Sequence, residues 1–334
     1  MICLGMESTA HTFGVGIVDE HAKILANEKH TLTTVEGGLI PREMADHHFR
    51  VAPEVLNRAL EKAGLSPREL DLIAFSRGPG IGQSLRVGAV AARGLALRHR
   101  KPLLGVNHCV AHIEIGRALT GCKNPLMVYF SGANTQILGF ESGRYRVYGE
   151  TLDIGVGNLL DGFGRAMGLG FPAGPKIDEM YFQAKRFVEL PYSVKGMDLH
   201  FSGLQTAAEG LVGKAEAVDL AYSVMHTAFA MLTEVTERAL AHTEKKELLL
   251  AGGVAASKAL RKMLGEMCGA REVEMFVPPV EVCVDNGAMI AWQGLLEHRA
   301  GARQTLAQTV IQPRQRADDV EVTWLPKAPG KRHK

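Results

Sequence analysis

The sequence predicts an α/β protein of two lobes made by duplication, each lobe running β-β-β-α-β-α, with an insertion in the second. Three observations carry this. A chain of 334 residues that is 46% hydrophobic exceeds what one core usually holds, so two domains are the default. The order of apolar runs and helical stretches in the first third of the chain is replayed in the rest. Each half also contains a strand that enters a glycine-rich loop and then a helix with Leu-Arg near its start: Gly78-Pro79-Gly80-Ile81-Gly82 before Leu85-Arg86, and Gly252-Gly253-Val254-Ala255 before Leu260-Arg261. Lobe one is expected over residues 1–120 and lobe two over 121–324, the insertion lying at about 155–213 and a basic tail at 325–334.

The elements follow in order. Ile2 to Gly5, Phe13 to Val18 and Lys23 to His30 are β-rich runs, the first two joined by the hydroxyl-bearing turn Glu7-Ser8-Thr9-Ala10-His11-Thr12. Arg42 to Ala63 carries apolar residues at helical spacing and meets a stop signal at Gly64. Ser66-Pro67-Arg68-Glu69 has capping-box form and predicts a short helix before the strand Leu72 to Phe75. The glycine loop that follows opens a helix through Leu85 to Leu97, an arrangement suited to a phosphate or carboxylate. Pro102 to Val106 is a short buried strand. In the second half, Leu126 to Phe130, Gln136 to Phe140 and Arg144 to Tyr148 repeat the meander around the turn Ser131 to Thr135. A long helix from about Ala217 to Leu240, a strand Glu247 to Leu250, the second glycine loop, a strand Val273 to Val277 and a helix opened by Asp285-Asn286-Gly287 complete the repeat. The insertion, rich in turn residues, reads as a lid or substrate subsite.

Charge and cysteine usage narrow the function classes. The 38 basic and 36 acidic residues interleave to a net +2, which gives no long-range field for nucleic acid. Five scattered cysteines without a CxxC pair fit reduced thiols in a cytosol, and no apolar run approaches a membrane span. An intracellular, soluble protein is expected.

The chemistry concentrates in Gly105-Val106-Asn107-His108-Cys109-Val110-Ala111-His112-Ile113-Glu114. His108 and His112 lie one helical turn apart on one face, where two imidazoles can share a metal ion. Half a site needs partners. In the duplicated order, Asp285 stands where the His108 junction stands in the first half, so the carboxylate is expected to face the imidazoles across a cleft, with Tyr129 as a candidate fourth ligand. His11, in the first turn, is a candidate general base.

Seven motifs in order carry a family resemblance: Gly105 to Glu114; Tyr129 with Ser131-Gly132-Ala133-Asn134-Thr135-Gln136; Gly149 to Gly155; Lys195-Gly196-Met197-Asp198; Phe201-Ser202-Gly203-Leu204; Gly252 to Ala255; and Asp285 to Ala291. The chain resembles the TsaD-type tRNA threonylcarbamoyl transferases, in the archaeal and eukaryotic branch that forms the catalytic subunit of the KEOPS complex. The resemblance implies the actin, sugar-kinase and Hsp70 (ASKHA) fold. It also implies transfer of the threonylcarbamoyl group from threonylcarbamoyl-AMP to N6 of the adenosine 3′ of the anticodon, in tRNAs reading codons that begin with A, with release of AMP.

Further implications attach to single residues. Iron (Fe2+) or zinc (Zn2+) would be held by His108, His112, Tyr129 and Asp285, the catalytic set being His108, His112 and Asp285. The adenylate, or ATP, would be contacted by Tyr129, Phe130, Ser131, Gly132, Ala133, Asp161, Gly174, Asp178 and Ser257. Implied partners are tRNA, a small atypical kinase that some relatives carry fused after a basic linker, and a dimerising subunit. The chain departs from the family pattern at Ala133 and Ala173, where glycine is usual and a positive φ would strain alanine, and at Ser257, where asparagine is common.

Two other enzyme readings compete. A metal-dependent peptidase of the HExxH kind needs Glu where Cys109 stands. A kinase or ATPase of the same superfold would use both glycine loops for ATP, and a non-enzymatic scaffold would bind ATP without tRNA-dependent release of AMP.

Overall fold

A computed structural model describes residues 1–33, 40–130 and 134–325. Ser131, Gly132 and Ala133, and the tail beyond residue 325, lie outside the described residues. The first half runs β1 (Ile2–Glu7), β2 (Thr12–Asp19), β3 (Ile24–Thr31), α1 (Pro41–Ala63), β4 (Leu72–Gly78), α2 (Gly82–His99), β5 (Leu103–Asn107) and α3 (His108–Thr120). The second runs β6 (Leu126–Phe130), β7 (Thr135–Glu141), β8 (Arg144–Glu150), then an insertion of α4 (Val156–Ala166), α5 (Gly174–Tyr181), a small hairpin of β9 (Val194–Lys195) and β10 (Asp198–Leu199), and α6 (Ser202–Glu209). The repeat resumes with α7 (Ala217–Thr243), β11 (Glu247–Gly252), α8 (Lys258–Ala270), β12 (Glu274–Phe276), the short α9 (Val280–Cys283) and α10 (Gly287–Arg299).

The duplication is visible in strand order. One sheet runs β3-β2-β1-β4-β5 and the other β8-β7-β6-β11-β12, each with an antiparallel meander on one side and parallel strands on the other. Both sheets are covered on both faces, which is why β1, β5 and β6 are apolar without alternation. Leu4, Met6, Phe13 and Val15 pack under α1 and α2, while Cys3, Leu72 and Ala74 on the reverse face meet α10.

Helices α3 and α10 each cross to the other half. Along α3, Ala111 and Ile115 join α10 and the first sheet, whereas Cys109, Val110 and Ile113 pack on the second sheet. Such a helix must be apolar all round, and His108 to Gly116 are all buried. The approach of α10 to the first sheet is so close that a Cβ at Gly16 would lie 2.0 Å from the Ala288 nitrogen. Only glycine fits there, and the contact pins the start of α10 against β2.

Four expectations need correction. Ser66 to Glu69 makes its capping bonds, Ser66 N and Oγ both donating to Glu69 Oε2 at 2.8 Å, yet forms only a turn because β4 begins too soon for a helix. The insertion is not a detached lid, since Leu159, Phe163, Ile177, Phe201 and Leu204 pack with α7 and the second sheet, while its alternative reading as a substrate subsite is left standing. The first glycine loop is not free to bind an anion, since Gly80 N donates to Pro313 O at 3.1 Å and Ile81 N to Thr9 O at 2.8 Å. Ala173 has φ −92°, an ordinary value for alanine, so its departure carries no strain.

Residues 303–325, which carry no periodic signal, strap both halves. Gln312 N donates to Arg77 O at 2.6 Å, Arg93 binds the Thr309 carbonyl and hydroxyl, and Val322 N donates to Gly143 O at 2.9 Å in the second half. Among the described residues no helix is long and apolar enough to cross a membrane.

Candidate metal centre

The carboxyl ends of the parallel strands of both sheets meet at α3 and α10. Each helix is opened by an asparagine: Asn107 Oδ1 accepts from Val110 N at 3.1 Å and Asn286 Oδ1 from Met289 N at 3.0 Å. The next residue in one half is His108, and the preceding residue in the other is Asp285, so the matched caps bring imidazole and carboxylate together.

His108 Nε2 lies 3.5 Å and His112 Nε2 3.4 Å from the same oxygen, Asp285 Oδ1. Tyr129 OH is 3.1 Å from His108 Nε2. The donor atoms of His108, His112 and Asp285 all fall within 4.8 Å of one another, a set that can hold a metal ion. The tyrosine sits beside it, its ring centroid 5.2 Å from that of His112.

Glu7, at the end of β1, backs the cluster and was not singled out from the sequence. Its Oε2 accepts from His108 Nδ1 at 2.8 Å, while Oε1 accepts from Thr9 N at 2.6 Å and Thr9 Oγ1 at 2.5 Å. In the neutral ring Glu7 keeps the hydrogen on Nδ1, which leaves the lone pair on Nε2, facing Asp285 and Tyr129. A carboxylate behind a histidine is the usual support of a metal ligand. The residues present therefore fit a metal.

Burial would lower the His108 pKa, but the Glu7 carboxylate outweighs it and holds the imidazole up at about 9, so without an ion Nε2 keeps a proton beside Asp285 that a metal would displace on binding. Burial would raise Asp285, yet its bond to His112 and the charge of His108 hold its carboxyl well below the usual range. His112 is lowered, mainly by burial. Lys29, on β3, is lowered by burial although Asp285 and Glu281 oppose the shift, which puts a second cation near the centre.

The sequence model of a family described as "TsaD: tRNA N6-adenosine threonylcarbamoyltransferase" matches residues 22–292. The chain belongs to the TsaD family. A Thermococcus kodakarensis relative named tRNA N6-adenosine threonylcarbamoyltransferase is 54% identical over 326 residues, 97% of this chain and 100% of its own length. A Methanocaldococcus jannaschii relative, named probable bifunctional tRNA threonylcarbamoyladenosine biosynthesis protein, is 51% identical over all of this chain but only 62% of itself, so it carries a further segment. Among solved structures, Thermococcus kodakarensis HypF superposes with TM-score 0.61 at 16% identity, covering 88% of this chain and 47% of that one. A ROK family glucokinase from Streptomyces griseus does so with TM-score 0.52 at 12% identity, covering 90% and 100%. At such identities the likeness shows the fold, the two-lobed ASKHA architecture.

The nucleotide contacts implied by resemblance to TsaD proteins distribute around the second half. Asp178 ties α5 to α8: its Oδ1 accepts from Ser257 Oγ at 2.5 Å and Ala259 N at 3.1 Å, and its Oδ2 from Lys258 N at 3.1 Å. Ser257 also caps α8, accepting from Leu260 N at 3.2 Å, a role serine fills as well as asparagine. Asp161 Oδ1 accepts from Ala173 N at 2.8 Å, and burial raises its pKa. Gly174 opens α5, and a Cβ there would meet only Leu160 at 3.9 Å. The Phe130 ring is buried in the core, which leaves only its main chain for a ligand.

His11 lies opposite the insertion. Its ring meets the edge of Phe171 with centroids 5.4 Å apart, near enough to Asp161 and Asp285 to act on both electrostatically.

Proposed function

We propose that this TsaD protein transfers the threonylcarbamoyl group from threonylcarbamoyl-AMP to N6 of the adenosine 3′ of the anticodon, in tRNAs reading codons that begin with A. In that reaction the adenine amine attacks the carbamoyl carbon, the carbon–oxygen bond to the phosphate breaks, AMP leaves and N6 gives up one proton. The observation that carries the reading is the Glu7-backed cluster of His108, His112, Asp285 and Tyr129 at the meeting of the two halves.

Fe2+ or Zn2+ held by His108, His112, Asp285 and Tyr129 would supply a Lewis acid for the carbonyl or phosphate oxygens. Around it the chain's own groups have distinct tasks. Glu7 keeps the hydrogen of His108 on Nδ1. The turn at the exposed Gly253 and half-buried Val254 would offer amides for the adenylate, with further contacts from Ser131, Gly132, Ala133, Asp161, Gly174, Asp178 and Ser257. His11, across from Phe171, is the group we assign to receive the N6 proton.

Near-neutral charge leaves much of the grip on tRNA to partners, namely a dimerising subunit and a small atypical kinase in a KEOPS-type assembly. The extra length of the bifunctional relatives supports a kinase fused in some of them. Five buried free cysteines support a reducing, cytoplasmic setting.

The test is incubation with threonine, bicarbonate, ATP, an adenylate-forming enzyme, partner subunits and tRNA, scoring the modified nucleoside. Wild type should form it and His108→Ala should not. Equal product from both would remove the cluster from the mechanism, and ATP binding without tRNA-dependent AMP release would favour the scaffold.

A further inference from the structure

Three histidines outside the metal cluster form one hydrogen-bonded chain. His48 Nε2 lies 2.8 Å from the Ala10 carbonyl, His47 Nδ1 lies 3.2 Å from His48 Nδ1, and His30 Nδ1 lies 2.7 Å from His47 Nε2. The carbonyl can only accept, so His48 Nε2 carries a hydrogen and neutral His48 must accept at Nδ1. His47 therefore carries its hydrogen on Nδ1 and accepts on Nε2, which fixes the hydrogen of His30 on Nδ1. One carbonyl thus sets three tautomers. His47 and His48 are 5% and 0% exposed, and burial, the largest effect, lowers the pKa of both, that of His48 to about 4, so His48 stays neutral.

The carbonyl at its end belongs to the turn between β1 and β2. Every neighbour in that turn is tied from a different direction: Ser8 N to Ser76 Oγ at 3.0 Å, Ile81 N to Thr9 O at 2.8 Å, and Leu32 N to His11 O at 2.9 Å. The Ala10 carbonyl and the His11 nitrogen share one peptide plane, so His48 sets the plane on one side of His11 and Leu32 sets it on the other. Together they fix the direction in which the His11 ring leaves the backbone, toward Phe171.

We propose that His48, backed by His47 and His30, is a positioning residue of the transfer reaction: it orients the Ala10–His11 peptide and thereby aims His11 across the cleft. This rests on the function proposed above. Glu7 and Thr9 have their own ties, so the metal cluster does not depend on His48. An ångström of misplacement in a reacting group costs on the order of a hundredfold in rate.

The test uses His48→Asn, which keeps a polar group near the Nδ1 position but falls short of Ala10, and His48→Gln, whose amide N–H reaches where Nε2 was. We expect kcat to fall tenfold or more in His48→Asn, with KM for the adenylate, metal content and melting temperature near wild type, and to return to within about threefold of wild type in His48→Gln. Long-range proton–nitrogen spectra of histidine-labelled wild type should show His48 protonated on Nε2 and His47 on Nδ1. A wild-type rate in His48→Asn, an equal loss in His48→Gln, loss of metal in step with activity, or a His48 protonated on Nδ1 would each overturn the proposal. If His48→Asn does not fold, His30→Ala at the exposed end replaces it: a fall of a few-fold supports the chain and an unchanged rate overturns it. Should wild type itself form no modified nucleoside, the functional reading fails, while the spectra still decide the tautomers.

Discussion

The loops that end β4 and β11 occupy the same place in the repeat and have opposite fates. After β4, Gly78 is buried, a Cβ there would lie 1.9 Å from Gln312 O, and the amides of Gly80 and Ile81 are used within the protein. After β11, Gly252 is equally tight, its Cβ position 1.9 Å from Phe130 O, but Gly253 beyond it is exposed and the turn leads straight into the cap that Asp178 and Ser257 build for α8. Glycine, strand and helix are the same in both. What separates them is a third segment, the strap of residues 303–325, which roofs one loop and leaves the other open. Duplication supplies two potential anion sites, and covering one of them converts it into scaffold.

The strand-to-helix junctions that follow those loops do the reverse and converge. If both halves serve one centre, Asp285→Ala and His108→Ala should be indistinguishable: each should lose bound metal and cut transfer by about a thousandfold or more. Metal analysis of purified protein beside the nucleoside assay checks this. Full metal in Asp285→Ala would break the symmetry.

A smaller contrast comes from giving each tight glycine a side chain. Both have positive φ, 94° at Gly252 and 154° at Gly78, so strain is common to the two. Each alanine should destabilise by about 2–4 kcal/mol. Gly252→Ala should in addition lower transfer roughly a hundredfold by moving the open loop, whereas Gly78→Ala should shift the strap and keep kcat within about threefold. Denaturant melts run with the assay separate the two, and equal loss of transfer in both would mean that the roofed loop is functional after all.

Much of this contrast was legible in the sequence and part was not, for identifiable reasons. The two Leu-Arg helices and the matched positions of His108 and Asp285 come from local pattern plus order, and order survives duplication. Glu7 was hidden because its partner is 101 residues away, brought near only by the β1-β4-β5 arrangement. The strap was hidden because it has no periodicity to detect: it is held by main-chain bonds such as Gln312 N to Arg77 O, which any sequence can make. Without the strap in view, the two glycine loops looked alike. The crossing of α3 and α10 was half visible, in helices apolar on every face, but which sheet each would cover is a tertiary matter.

The open loop also predicts a binding effect with no counterpart in the first half. Asp178→Ala frees the start of α8 and the Ser257 hydroxyl, and should cost about 1–2 kcal/mol of stability. KM for the adenylate should rise about tenfold with kcat little changed, as expected when a ground-state contact is removed. A Ser76→Ala change at the end of β4 should leave that KM alone, and a rise there would blur the distinction between the loops.

The smallest effect belongs beneath the strap, where pH reads how well the roof excludes water. Burial raises the Glu297 carboxyl to about 7, against the bond from Gln293 at 2.9 Å and the charge of Arg77, whose guanidinium also donates to Gln308 O in the strap. A carboxyl raised in the folded state is protonated in both states below its unfolded value and costs stability once it ionises, so stability should fall as pH rises from about 4.5 to about 7 and level off above. Glu297→Gln should remove that slope, matching wild type near pH 4.5 and exceeding it by roughly 2 kcal/mol above pH 7, allowing for partial exposure. Urea melts at the two pH values measure the difference. A pH-independent gap would mean that the strap leaves Glu297 solvated, and the roofed loop would then be closed by contact alone rather than by exclusion of water.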